Sequence, residues 1–314
     1  MNMEIKKRII PNANDGKPIP GFAEREYIFF KVKFNNFRDV SYSSEHAVLD
    51  KEIIEECECV LTLPDTYTED GEPTPLILAC HGAGSNVIEA ENRIGGLNQV
   101  NRAIDAGYAA LDVAGSRKNG LTMGCPEHIF ALYKAYRYAI KHYNLCDRVL
   151  LAGASMGGHT ALNFAHMYPS IVLAVGIFFP RLNMDGVNVN GHYCIGTWDK
   201  CEKKNGGIST RDRMTDVYRF PSADWYEANT VGSNPYRLRS FVNNEGERVV
   251  IPTCPIKIWQ GTADTVTDPV MAKEFYDSVR RSGSYIELHL LDGITHTITD
   301  VMREEQIIWF NRFI

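Results

Sequence analysis

The chain has 314 residues, 44% of them apolar and 23% charged, ordinary usage for a globular protein that buries a large core without disulfides. A formal net charge of −6 and a pI near 5.9 set it against polyanions, so nucleic acid is excluded as a partner. No apolar run is long enough to span a bilayer, and no signal-peptide core follows the basic residues of MNMEIKKRII, so neither a membrane nor a membrane anchor is expected. A cytoplasmic protein is expected, or a secreted one whose leader has been removed.

Residues 1–54 read as an irregular leader followed by an edge strand, and residues 55–314 as the main domain. YIFFKVKF (27–34) and CECVLTLP (57–64) mix alternation with β-branched and aromatic residues, as half-buried antiparallel strands at a sheet edge do. PDTYTEDGEPTP (64–75) is dense in turn formers and predicts a surface loop. From Pro75 short apolar runs alternate with helical stretches. PLILACHG (75–82), YAALDVAG (108–115), RVLLAGAS (148–155) and IVLAVGIFFP (171–180) are apolar enough for strands buried on both faces. Between them the pattern predicts helices over about 91–106, over 126–143 and over 156–169. In the second, Ile129, Leu132, Tyr133, Tyr136 and Ile140 recur at helical spacing.

Residues 181–250 lose this rhythm and are expected to form a cap inserted after the sixth main strand. The rhythm resumes with PIKIWQG (255–261), a helix over 268–283, the strand SYIELHLLDG (284–293) and a helix over 301–314. Strand–helix alternation predicts an α/β fold with a mostly parallel central sheet flanked by helices. Of eight cysteines, Cys57, Cys59, Cys80 and Cys254 sit in strand-like runs as small hydrophobes; whether Cys194 and Cys201 pair stays open.

The chemistry concentrates in Gly153-Ala154-Ser155-Met156-Gly157-Gly158, which follows an apolar strand and opens a helix. That is the setting of a nucleophile elbow, in which glycines tolerate the tight turn and the helix start favours negative charge at the serine. An oxyanion needs two preorganised N–H donors. Met156 supplies one; the loop His81-Gly82-Ala83-Gly84 supplies the other through Ala83, with Gly84 as the alternative. His81 itself reads as a structural hydrogen-bonder, with substrate binding as the other reading.

Of nine histidines, only His296 follows the last predicted strand, which makes it the base. His128 is among those assigned to loops or helix surfaces. The orienting carboxylate is expected after the preceding strand, where Asp264 stands; Asp268 four residues on reads as a helix cap before Pro269. The order Ser155, Asp264, His296 is the order this fold requires.

On HGAG, GASMGGHTAL, GTAD and GITH, the chain resembles the α/β-hydrolase superfamily over residues 55–314. It is similar to the branch of esterase D, feruloyl and acetylxylan esterases and polyhydroxyalkanoate depolymerases. GTAD and ANTVGSNPYRL also resemble prolyl-oligopeptidase catalytic domains. One departure is Gln260, where relatives often have His before Gly, and the N-terminal part does not read as a β-propeller. The resemblance implies a catalytic domain that hydrolyses a small-molecule or carbohydrate ester through an acyl-enzyme, without a metal or organic cofactor. Trp198 and Trp225 of the cap suit a sugar or an aromatic acyl group, or else pack the cap onto the body. A serine peptidase on the same triad and an inactive binding module are the alternatives.

Overall fold

The computed structural model describes residues 6–8, 25–36, 40–42, 47–49, 53–182 and 253–314, with short breaks at 92, 115–121, 123 and 282. The expected cap at 181–250 lies outside the described residues except for its first two. So do Trp198, Trp225, Cys194 and Cys201.

Strands are numbered β1 to β13 along the described chain. Nine of them form one sheet. Its order is β1 (Lys6–Arg8), β2 (Arg25–Asn36), β5 (Ile53–Thr62), β9 (Ala109–Val113), β6 (Thr74–Cys80), β10 (Leu145–Ala154), β11 (Val172–Phe178), β12 (Ile256–Gly261) and β13 (Ile286–Leu291). The pairs β1–β2, β2–β5 and β5–β9 are antiparallel, and every pair from β9 to β13 is parallel. Two short hairpins stand apart from it, β3 (Val40–Tyr42) with β4 (Ala47–Leu49) and β7 (Val87–Ile88) with β8 (Arg93–Ile94).

The run 27–34, expected at a sheet edge, lies one place in. The edge falls to β1, within the stretch read as irregular. Its sequence Lys-Lys-Arg is of the charged kind that discourages further pairing at an open edge. In β2 and β5 the alternation works as the pattern predicts: Phe30, Val32 and Phe34 join Cys57, Cys59 and Leu61 in the core, while Lys31 and Lys33 are exposed.

The central parallel strands are largely apolar because helices cover both faces. Leu76, Leu78, Val149, Leu151, Val175 and Ile177 point into one layer, under α2 (Pro126–His142), α3 (Met156–Met167) and α4 (Pro269–Arg281). Ile77, Ala79, Leu150, Ala152, Ala174 and Phe178 point into the other, under α1 (Asn101–Asp105) and α5 (Asp300–Phe310). No helix among the described residues is long and apolar enough to cross a membrane.

The helix predicted over 91–106 is mostly absent. The chain there runs through β8 and a 3-10 turn at Gly95–Gln99, and only then enters the five-residue α1. Two glycines explain the break. Gly95 has φ +57°, and a Cβ on Gly96 would stand 2.2 Å from the carbonyl oxygen of Ala79 in β6. Backbone packs on backbone at that point, which a regular helix with side chains would prevent. Gly283 provides the contrast, since φ is +81° but nothing lies within 4 Å of a built Cβ. Gly96→Ala is therefore expected to cost about 3 kcal/mol of stability through overpacking, and Gly283→Ala only about 1 kcal/mol through its backbone angle. Urea unfolding of both variants checks the ranking; equal losses would contradict it.

Candidate active site

Five of the six parallel strands, β6, β10, β11, β12 and β13, are adjacent and end on one rim, so the segments that follow them are neighbours although far apart in sequence. Ser155 stands between β10 and α3 with φ 56° and ψ −119°. That backbone conformation costs a non-glycine residue on the order of 1–3 kcal/mol, and it persists only where the surroundings enforce it. Here they do. A Cβ on Gly153 would stand 2.4 Å from the Gly157 carbonyl oxygen, and one on Gly157 would stand 2.1 Å from that of Cys80. One on Gly158 would stand 2.6 Å from Pro180 Cβ. Ser155 N donates to Phe178 O at 3.1 Å, and Arg181 N donates to Ser155 O at 2.9 Å.

Asp264 and His296 meet across the ends of β12 and β13. His296 Nδ1 lies 2.8 Å from Asp264 Oδ2. Their loops are locked together, because Thr262 N donates to Leu291 O (2.9 Å) and Ala263 N to Ile294 O (3.0 Å). This approach requires Gly261, whose Cβ would fall 2.1 Å from Ile294 O. The carboxylate is enclosed. Oδ1 accepts from Val266 N (2.7 Å) and Thr267 N (3.0 Å), and Thr267 Oγ1 lies 2.9 Å from Oδ2. Burial by itself would raise the Asp264 pKa. The hydrogen bonds from His296, Thr267 and Val266 outweigh it and hold the carboxyl below its ordinary value. An ionised Asp264 accepts, so His296 Nδ1 carries a hydrogen, and in the neutral imidazole that a general base requires Nε2 is the acceptor. Asp268 plays a different part, accepting from Val270 N at 2.9 Å and capping α4.

Ser155 and His296 line the same cavity, of about 440 Å³, together with Ala83 and Phe179. The Ala83 N–H has no acceptor among the described residues, as a donor reserved for an oxyanion would not. Gly84, the alternative donor, has φ +83° and does not line the cavity. Met156 begins α3 directly after Ser155 and is buried.

One histidine reading needs correction, and one alternative falls away. His81, considered for substrate binding, is 1% exposed and outside the cavity lining; its Nδ1 lies 3.0 Å from Asp112 Oδ2. His128, assigned to a loop or helix surface, is buried with its ring edge against His81, at 5.4 Å between centroids. Burial first, and His81 second, hold its pKa well below the usual histidine value. The burial of His128 has no local signal. A histidine next to a strand or at a helix start looks polar in sequence, and nothing local reveals a buried partner.

Four participants carry no sequence signal of their own. Phe179 (φ 34°) packs its ring against that of His296 at 4.2 Å between centroids, tilted by 49°. Thr267 serves Asp264 as described. Gln99 and Arg303 line the cavity, one from the broken segment after β8 and one from α5. Gln260, singled out as a departure, proves to be part of the site. It is fully buried, and its Nε2 lies 3.2 Å from Asp264 Oδ2 and 3.1 Å from Thr267 O. Among the described residues no group of three or more His, Cys, Asp or Glu side chains is placed to hold a metal ion.

No family model matches the chain, and no curated protein sequence does. Solved structures do match in shape. A puromycin-hydrolyzing peptidase of Mycobacterium tuberculosis superposes with a TM-score of 0.58 at 14% identity, over 82% of this chain and 37% of the peptidase. An acylaminoacyl peptidase of Pyrococcus horikoshii gives 0.56 at 14%, over 91% and 42%. Candida antarctica lipase A gives 0.55 at 12%, over 91% and 77%. The chain thus spans well under half the length of these two peptidases and about three quarters of the lipase. The fold is that of the α/β-hydrolases.

The depressed Asp264 pKa has a definite sign in stability. A carboxyl held below its unfolded value stabilises the fold fully above that value, about 3.9, and this contribution disappears as pH falls through the folded value. Asp264→Asn is therefore expected to cost about 1–3 kcal/mol at neutral pH, with the gap to wild type narrowing below about pH 4. Urea unfolding of both proteins from about pH 7 to pH 3 checks this. A gap that does not change with pH would show that the carboxylate is not held below its free value.

Proposed function

We propose that this chain is a serine hydrolase cleaving a carboxylic ester through an acyl-enzyme, with Ser155 as nucleophile, His296 as general base and Asp264 as the carboxylate that orients it. The observation that supports the reading most is the 2.8 Å approach of His296 Nδ1 to Asp264 Oδ2, beside a cavity whose wall the imidazole shares with a strained Ser155.

In this mechanism Ser155 Oγ attacks the ester carbonyl carbon while His296 Nε2 takes its proton. The imidazolium so formed is stabilised by Asp264, which stays ionised. The tetrahedral oxyanion is held by the N–H groups of Met156 and Ala83, each such donor contributing roughly 10²–10³ in rate. His296 then returns the proton to the departing alcohol, and water repeats the sequence on the acyl-enzyme. The cavity wall carries Ser85, Asn98 and Gln99, polar groups that suit a hydroxylated alcohol. We therefore assign a carbohydrate ester, acetylated or feruloylated, as the substrate class. The cell compartment we propose is the cytoplasm.

A peptidase would use the same three residues on an amide, and two of the structural neighbours are peptidases by name. Incubation with p-nitrophenyl acetate and with an aminoacyl-p-nitroanilide separates the two. The ester is expected to turn over and the anilide to persist. Ser155→Ala is expected to lower kcat on the ester by about 10⁴-fold or more with the melting temperature unchanged. Wild-type rates from that variant would end the proposal, and anilide turnover lost with Ser155 would convert it to the peptidase reading.

A further inference from the structure

We infer, building on the hydrolase reading above, that the scissile ester carries a carboxylate and that Arg303 is the residue that binds it. Arg303 lines the cavity that Ser155 and His296 share. Apart from the titratable His296 it is the one charged side chain among the described lining, and no aspartate or glutamate lines the cavity with it.

The guanidinium is incompletely matched by the protein. Arg303 Nη1 donates to Asp300 Oδ1 at 3.0 Å, three residues earlier on α5, but Asp300 is 68% exposed and its charge is largely solvated. Arg303 Nε is buried and has no acceptor among the described residues. The side chain keeps 24% of its surface, and to that open part a carboxylate offers the two coplanar oxygens that a guanidinium edge accommodates. Gln99 Oε1, on the same wall, is likewise buried without a donor among the described residues. The wall thus offers one cation and, from Gln99, Asn98 and Ser85, neutral polar groups, which match an anionic acceptor and a hydroxyl. A sugar acid presents both, and so does a hydroxylated dicarboxylic acyl group. The shared chemistry is a carboxylate near the ester bond.

Two matched pairs of esters distinguish which side bears it. Phenyl acetate against 3-acetoxybenzoate places the charge on the alcohol. Phenyl hexanoate against monophenyl adipate places it on the acyl group. In at least one pair the acid is expected to exceed its neutral partner in kcat/KM by about 10- to 100-fold, mostly through KM, as a charge-assisted hydrogen bond would give. Arg303→Met is expected to bring that ratio close to one, and Arg303→Lys to retain part of it. Should Arg303→Met fail to fold, the wild-type ratio carries the test, since it must shrink as ionic strength rises from about 0.05 M to 0.5 M. Ratios near one in both wild-type pairs, or a preference unaltered by Arg303→Met or by salt, would overturn the inference while leaving the hydrolase reading intact. Absence of turnover on all of these esters would remove the hydrolase reading itself, and the inference with it.

Discussion

Helix α3 approaches strand β6 so closely that no side chain fits between them, and the rest of the rim depends on that approach. The position of a Cβ on Gly157, 2.1 Å from Cys80 O, measures it. With the helix that near, its first turn lies beside the segment that follows β6, and main-chain N–H groups from two distant stretches of chain are brought to one rim. The same approach leaves the chain a single residue in which to turn from strand to helix. Ser155 is that residue, and its backbone bears the strain of about 1–3 kcal/mol. Hydrogen bonds to both sides of it, from Ser155 N to Phe178 O and from Arg181 N to Ser155 O, hold the turn in place. The glycines are thus a consequence of backbone proximity, and the place of the half-buried Ser155 at the cavity wall is a consequence of the glycines.

A parallel sheet then solves the second problem, which is to bring Asp264 and His296, 32 residues apart, within reach of one another. Adjacent parallel strands end side by side, so Asp264 after β12 and His296 after β13 meet without any long excursion of the chain. What remains is to stop an ionised carboxylate from being too costly to bury. The answer is a dense set of donors, from Val266 N, Thr267 N, His296 and Gln260, around two oxygens whose side chain has no exposed surface. Gln260 brings a property a histidine in its place would lack. Its amide has no proton to gain or lose in the working pH range, so the support it gives Asp264 does not change with pH.

The elbow and the two loops were legible in the sequence because each announces itself locally. Glycines at fixed offsets from Ser155 can be read as steric necessities, and a strand followed by Gly-Thr-Ala-Asp or Gly-Ile-Thr-His places a polar side chain at a strand end. The sheet was legible for the same reason, since a strand covered on both faces cannot hide its apolar run. The segment at 91–106 was not. Its apolar spacing resembles a helix, and only the proximity of Ala79 O and Asp112 shows why Gly95 and Gly96 stop one. Arg303 was equally opaque. It lies in a charged stretch, Arg-Glu-Glu, where a solvated helix face is the natural reading, and its place in the cavity follows from how α5 packs on β11.

Two aspartate–histidine pairs lie at this rim, and the comparison between them separates support from chemistry. Asp264 and His296 approach to 2.8 Å, Asp112 and His81 to 3.0 Å. Distance does not tell them apart. Asp112 Oδ2 also accepts from Gly96 N at 2.7 Å, so the second pair ties the turn after β8 to the start of the 81–85 segment. Its histidine side chain has no exposed surface, and Nε2 is buried without a partner among the described residues. The first pair has a histidine 22% exposed, lining the cavity that Ser155 also lines. A proton relay needs one nitrogen fixed and the other reachable, and of these two histidines only His296 meets both conditions. His81 meets the first alone. It therefore keeps the 81–85 segment, with the Ala83 N–H, in register with the elbow, and this rigid donor is what an oxyanion site requires before any substrate arrives.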